Sequence, residues 1–119
     1  MRADERDNAY LWDMREAARE VAEFTQDATY DEFTSKKPLR YAVERLLMVI
    51  GEAARHVSDS FRNAHPEIPW GSIIGQRNVL AHEYGEIVVE RIWQTSKERI
   101  PELIRNLDPL IPPPPEDVE

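Results

Sequence analysis

The sequence predicts an all-α fold, a bundle of four main helices plus a short turn helix, and three observations predict it. Only 4 glycines occur in 119 residues. No Asn-Gly or Asp-Gly hairpin signal is present. Apolar residues recur at steps of three and four nearly throughout, the spacing of one face of an α-helix. There is no internal repeat and no linker. A chain of 119 residues can build one core but not two. The expected organisation is one helical domain over residues 1–111, followed by a Pro-rich acidic tail, 112–119, expected to be disordered.

The first helix is expected over about 5–26. Tyr10, Met14, Ala17, Val21 and Phe24 form its stripe, widened by Leu11 and Ala18, with Asp13, Glu16, Arg19, Glu20 and Glu23 on the solvated face. Thr29-Tyr30-Asp31-Glu32 has capping-box spacing and opens a short turn. A second helix is expected over 36–64, with Pro38 tolerated in its first turn. Its stripe is Leu39, Val43, Leu46, Ile50, Ala53, Val57 and Phe61. Ala42, Leu47, Met48 and Val49 make its middle apolar nearly all round, as in a central helix. Gly51 inside it costs about 1 kcal/mol against alanine, so a close helix contact is its expected reason. Pro66 and Pro69 turn the chain. A third helix follows over 70–83, through Ile73, Ile74, Arg77 and Leu80, with Gly75 allowing a close approach ahead of Arg77 and Gly85 as the break. The fourth, 87–108, turns Ile87, Val88, Ile92, Ile100, Leu103 and Leu107 inward with Trp93 on its flank. Pro101 should kink it.

Composition narrows the function. The net charge is −8, and acids crowd the two ends while bases outnumber them only between residues 35 and 69. Such a chain is a poor general nucleic-acid binder, so any RNA contact must be local or shared with a partner. There is no cysteine, which excludes disulfides and thiolate metal sites and fits a reducing compartment. No apolar run approaches a membrane span, and the charged N-terminus does not read as a signal peptide, so a cytoplasmic protein without a membrane partner is expected.

One segment concentrates chemistry: Gln76-Arg77-Asn78-Val79-Leu80-Ala81-His82-Glu83-Tyr84-Gly85. Arg77 carries a permanent planar fork of donors. His82 exchanges a proton near neutral pH. Tyr84 carries a hydroxyl that can donate, accept or be modified. On a helix Asn78 and His82 stack at i,i+4, whereas Arg77 and His82 lie about 140° apart around the axis. Either Arg77 curls toward His82 or a second chain completes the site. Bland roles exist for each. Arg77 could pair structurally with Glu83, Glu86 or Glu52, His82 could be an ordinary helix histidine, and Tyr84 a packing residue. Glu44 and Glu52 read as arginine partners that shape a cleft. His56 and His65 read as bland, and the three histidines offer no close ligand pair, so no metal is expected.

Arg77-Asn78-Val79-Leu80-Ala81-His82-Glu83-Tyr84 resembles the Arg-x-x-x-x-His-x-Tyr signature of HepT-like toxins, which belong to the HEPN superfamily of small helical ribonucleases. Ala42-Val43-Glu44-Arg45, Ile50-Gly51-Glu52-Ala53, Pro66-Glu67-Ile68-Pro69-Trp70 and Ile100-Pro101-Glu102-Leu103 are similar to the family as well, so the likeness covers about residues 8–107. The resemblance implies a HEPN-like up-and-down bundle that forms a homodimer with two Arg/His motifs facing across a cleft. It implies metal-independent RNA cleavage without a cofactor, and a cognate MntA-like nucleotidyltransferase antitoxin that silences the toxin by AMPylation of the motif tyrosine, here Tyr84.

The residues suit that chemistry. RNA cleaves itself once its 2′-hydroxyl is deprotonated, the phosphorane stabilised and the leaving 5′-oxygen protonated. His82 fits the proton transfers, Arg77 the phosphoryl charge, and Asn78 a supporting role in orienting His82 or phosphate. One histidine per chain does not readily serve as both acid and base, which again favours a dimer. AMP on Tyr84 would place a bulky anion beside Arg77. The competing class is a non-catalytic helical module that binds a nucleotide or presents Tyr84 to a nucleotidyltransferase.

Overall fold

In the computed structural model, residues 3–82 and 86–113 are described, with side chains for 4–80 and 88–113. Among the described residues there is no strand. The elements are α1 (Ala3–Thr25), α2 (Tyr30–Ser35), α3 (Lys37–His56), α4 (Asp59–Ala64), α5 (Trp70–His82), α6 (Glu86–Gln94), a π-helical turn (Thr95–Arg99), α7 (Ile100–Leu107) and a 3₁₀ turn (Asp108–Leu110). No described helix is long and apolar enough to cross a membrane.

Helix α3 is central, packing against α1 on one side and α5 on another, while α7 packs on α1. Its buried residues are Val43, Leu47, Ile50, Gly51, Ala53 and Ala54. They meet Leu11, Met14, Ala18 and Val21 of α1 in one core. The expected stripe of α1 needs one correction, because Phe24 is 49% exposed. Thr25 takes the inward place instead, its hydroxyl donating to the Val21 carbonyl at 2.9 Å. The last turn of α1 has no base of its own. Lys97 supplies one from the π-helical turn, donating to the Thr25 carbonyl at 2.9 Å, a favourable place for a cation at the carbonyl end of a helix.

The capping box at Thr29 and Glu32 forms in full and opens α2. Phe33 is buried from that helix, with the Trp93 ring centroid 5.3 Å away. The single helix expected over 36–64 is instead two, α3 and α4. Ser58 explains the break. Its backbone N–H donates to Asp7 Oδ1 at 2.8 Å, and its hydroxyl donates to Asp7 Oδ2 at 2.6 Å. The Ser58 oxygen also accepts from the Phe61 N–H, so it serves as the N-cap of α4. Asp7 is buried in α1, and a long-range carboxylate therefore decides where α3 stops.

Helix α5 starts at Trp70 as expected. The indole donates to the His65 carbonyl at 2.9 Å, anchoring the preceding turn. The helix expected over 87–108 is α6 and α7 joined by the wider turn. The Ile100 N–H reaches back to the Thr95 carbonyl, an i→i−5 bond, and Pro101 then stands in the first turn of α7. Proline has no N–H for an interior position and its ring crowds the carbonyl four residues back, so the widened turn relieves it. Val88, Ile92, Ile100, Leu103 and Leu107 are all buried. Ile87 lies outside the residues whose side chains are described, and most of the expected tail lies outside the described residues.

Candidate active site

The site grows from one tight crossing. A Cβ added to Gly51 of α3 would stand 2.9 Å from the Arg77 Cβ and 3.1 Å from the Ile73 carbonyl. Only glycine lets α5 lie this close, and the contact falls on Arg77 itself. Gly75 does not share that role, as a Cβ there would meet nothing within 4 Å. The close approach expected of it is made by Gly51, from the facing helix.

Arg77 leaves the crossing half-buried, with its Nε 2.9 Å from Glu52 Oε2. That oxygen is sealed from solvent and receives no aligned hydrogen bond, so Arg77 is its charge partner rather than a well-directed donor. The other carboxylate oxygen, Oε1, is 3.0 Å from Arg55 and 3.1 Å from His56 Nε2. Hydrogen bonds from Arg55 and His56 hold the Glu52 carboxyl below its usual range against an opposing effect of burial, and the charges of Arg55 and Arg77 add lesser contributions in the lowering direction. Ion pairs this exposed add little stability, so the main consequence of the Arg77 contact is positional. Binding through Nε leaves the two terminal guanidinium nitrogens without a partner among the described residues.

Arg77, Glu52 and His56 line a cleft of about 330 Å³ with Tyr10 and Asp13 of α1 and Arg45 of α3. The Tyr10 ring stacks on His56 at a centroid distance of 5.2 Å and an interplanar angle of 20°. Sequence reasoning placed Glu52 correctly as an arginine partner. It read His56 as bland and Tyr10 as part of the apolar stripe of α1, and gave Arg45 no role in a cleft. His56 was legible as the i+4 neighbour of Glu52, but Tyr10 and Asp13 arrive from a helix remote in sequence.

The remaining expected residues divide. Asn78 is exposed on α5, away from the crossing. The helix runs on through His82, so its backbone keeps the five-residue step from Arg77, but the His82 side chain lies outside the described residues. Glu83, Tyr84 and Gly85 lie wholly outside them. Among the described residues no three His, Cys, Asp or Glu side chains gather as a metal site.

On the far side of α5 is a second cavity of about 210 Å³, floored by Leu47, Ile50, Ile73 and Leu103 and edged by Gln76 and Thr95. Gln76 donates to the Thr95 hydroxyl there at 3.4 Å. Neighbouring residues of α5 therefore line different hollows, Arg77 the one with Glu52 and His56, and Gln76 the one with Thr95.

Comparison with known proteins bears on the family. The family described as "Ribonuclease HepT-like" matches residues 14–110. "Putative RNase MJ1380" of Methanocaldococcus jannaschii is 41% identical over 100 residues, covering 84% of this chain and 92% of that protein. "Probable ribonuclease HepT" of Thermococcus cleftensis is 39% identical over 94 residues, covering 79% of this chain and 86% of its own length. No solved structure matches the chain. The helical bundle and the match across most of its length together establish that this chain belongs to the HepT-like ribonuclease family of the HEPN superfamily.

Proposed function

We propose that the chain is a metal-independent endoribonuclease, the toxin of a toxin–antitoxin pair, in which Arg77 and His82 carry out the cleavage. The observation that carries this reading is the setting of Arg77. Its Nε is held on Glu52 at 2.9 Å in an open cleft, on the helix that ends at His82. A guanidinium oriented through Nε presents its terminal nitrogens as a fork, the geometry that suits a phosphoryl group. Family membership supplies the substrate class, RNA. Arg77 stabilises the pentacoordinate phosphorus, His82 transfers protons, and Asn78 supports the site from the exposed side of α5. Two copies pair with their motifs facing, and a nucleotidyltransferase partner silences the enzyme by transferring AMP to Tyr84.

Purified, unmodified protein incubated with RNA in EDTA tests the reading. Cleavage that disappears in both Arg77→Ala and His82→Ala, with folding intact, supports it. No cleavage of several RNAs by the parent protein overturns it. A mass gain of one AMP on Tyr84 after incubation with ATP and the partner supports the regulatory half, and an unchanged mass counts against it. The Arg77–Glu52 pair is also what a purely structural arginine would make. Nucleotide binding without any cleavage would therefore favour a helical binding module.

A further inference from the structure

The cavity beyond α5 is half of a larger space. Its chamber of about 210 Å³ has an apolar floor of Leu47, Ile50, Ile73, Ile100 and Leu103. A second hollow of about 210 Å³ adjoins it and is lined by polar side chains throughout, with Arg91, Gln94 and Glu98 on its outer side. Ser72, Gln76, Thr95 and Arg99 line both, so the two hollows share one wall. Either hollow alone is smaller than the usual small-molecule site of about 300 Å³ or more, whereas a ligand spanning the shared wall has the use of both. Neither shares a lining residue with the Arg77 cleft. The π-helical turn supplies part of the wall, since Thr95 and Arg99 are its first and last residues. Widened turns of this kind recur at functional sites.

Charge is divided between the two ends. The apolar chamber has the carboxylates of Glu67 and Glu102 against the guanidinium of Arg99. The polar hollow has the guanidinium groups of Arg91 and Arg99 against the carboxylate of Glu98. Both arginines are exposed, and neither guanidinium has a partner among the described residues. Arg15, Arg19, Arg40, Arg55, Arg62 and Arg77, by contrast, are all ion-paired. We propose that the joined hollows bind a nucleotide unit, its base on the apolar floor and its phosphate on Arg91 and Arg99. A planar base has the apolar faces that such a floor buries. The exocyclic amine of an amino-bearing base finds acceptors in Glu67, Glu102 and the Asn106 amide at the rim. The phosphate finds two planar guanidinium forks, the donors that match it in geometry. A plain anion would use only the polar end, and an uncharged apolar molecule only the floor. The unit is either a free mononucleotide or one residue of an RNA strand, and the chemistry is common to both. Only the second source rests on the ribonuclease reading.

The bland alternative is a packing gap beside the widened turn, with two solvated arginines near its mouth. Protein labelled at its Ile, Leu and Met methyl groups, titrated with CMP, UMP, cytidine and inorganic phosphate up to several millimolar, discriminates. CMP is expected to shift the methyl resonances of Ile50, Ile73, Ile100 and Leu103. UMP presents a carbonyl where CMP presents an amine and should bind about tenfold more weakly; cytidine lacks the phosphate and should bind about 10–100-fold more weakly. Arg91→Glu combined with Arg99→Glu, both at exposed positions, should abolish the shifts with the helical circular dichroism unchanged. A short 2′-O-methyl oligocytidylate separates the sources. Floor shifts with both probes show that a free nucleotide suffices, and floor shifts with the oligonucleotide alone assign the pocket to a residue of the strand; either supports the proposal. Floor methyls that stay fixed with both probes overturn it. So do shifts that survive the double charge reversal, or that centre on Met48 in the Arg77 cleft. Inorganic phosphate binding as tightly as CMP would reduce the polar hollow to an anion patch and overturn it too. RNA cleavage with silent floor methyls removes the pocket and leaves the ribonuclease reading standing, whereas CMP binding by a protein that cleaves no RNA does the reverse.

Discussion

Glu44 and Glu52 stand eight residues apart on α3 and meet opposite fates. Glu44 lies in the half of the helix that faces α2. It has Arg40 for a partner at 3.6 Å, and burial pushes its carboxyl above the usual range, with the Arg40 charge opposing. Glu52 lies in the half crossed by α5. Three cationic or protonatable groups converge on it, and its carboxyl is pulled down. The sequence has the same residue type in both places. The difference comes from what the second helix brings, and α5 can bring Arg77 only because residue 51 is glycine. One half of α3 is a scaffold with a part-buried ion pair; the other half carries the candidate site.

The largest test of this contrast exchanges the two arginines in turn. Arg77→Ala should reduce RNA cleavage by about 10²–10³-fold, the usual cost of losing a charge-stabilising group. Arg40→Ala, which removes a contact to the Thr34 carbonyl and to Glu44, should stay within a few-fold of the parent. Equal losses in initial-rate assays would erase the distinction between the halves.

A second comparison is between glycines. Gly51→Ala forces a methyl group against Arg77 and Ile73, and denaturant unfolding should show a loss of about 1–3 kcal/mol, as for other overpacked contacts. Gly75→Ala enters open space on the same helix as Arg77 and should gain about 0.5–1 kcal/mol from reduced backbone freedom in the unfolded chain. Gly51→Ala as stable as the parent would mean that the crossing is looser than described.

The smallest effects are in pH dependence, and their signs oppose each other. The folded-state pKa of Glu44 is raised, so its stabilising contribution is present below its ordinary value of 4.5 and is lost as pH rises through the folded value. Glu44→Gln should therefore melt slightly higher than the parent at neutral pH, with the gap closing in acid. The folded-state pKa of Glu52 is lowered, so its contribution is present above 4.5 and is lost as pH falls. Glu52→Gln should melt slightly lower at neutral pH, again converging in acid. Melting curves from pH 3 to 8 that move in the same direction for both variants would show that the two carboxyls are equivalent after all.

Much of this was readable in advance wherever the cause is local. Helical periodicity, the Thr29–Glu32 capping box, Pro38 in a first turn and the Trp70 helix start all depend on neighbours within four residues. Gly51 was readable as a contact residue because an interior helical glycine needs a reason. What escaped is non-local. The break at Ser58 depends on Asp7, fifty-one residues earlier. The exposure of Phe24 follows from Thr25 and Lys97 closing the same helix end. His56 is on the helix exterior as expected, and what escaped is the Tyr10 ring that stacks on it once the helices pack. At Gly75 the right idea, a close approach near Arg77, was attached to the wrong helix.

The widened turn at Thr95–Arg99 has a consequence for phase. The buried positions Val88, Ile92, Ser96 and Ile100 step by four. In a uniform α-helix each such step drifts about 40° around the axis, because four residues overshoot a turn of 3.6. Over three steps that drift would carry Ile100, Leu103 and Leu107 far round from the face that α6 buries. The extra residue in the π-helical turn takes up the overshoot, so α7 resumes with its apolar side still toward α1. The count of residues in that turn therefore sets the angular alignment of two helices, and deleting one of them would rotate the whole of α7 by about 100° relative to α6.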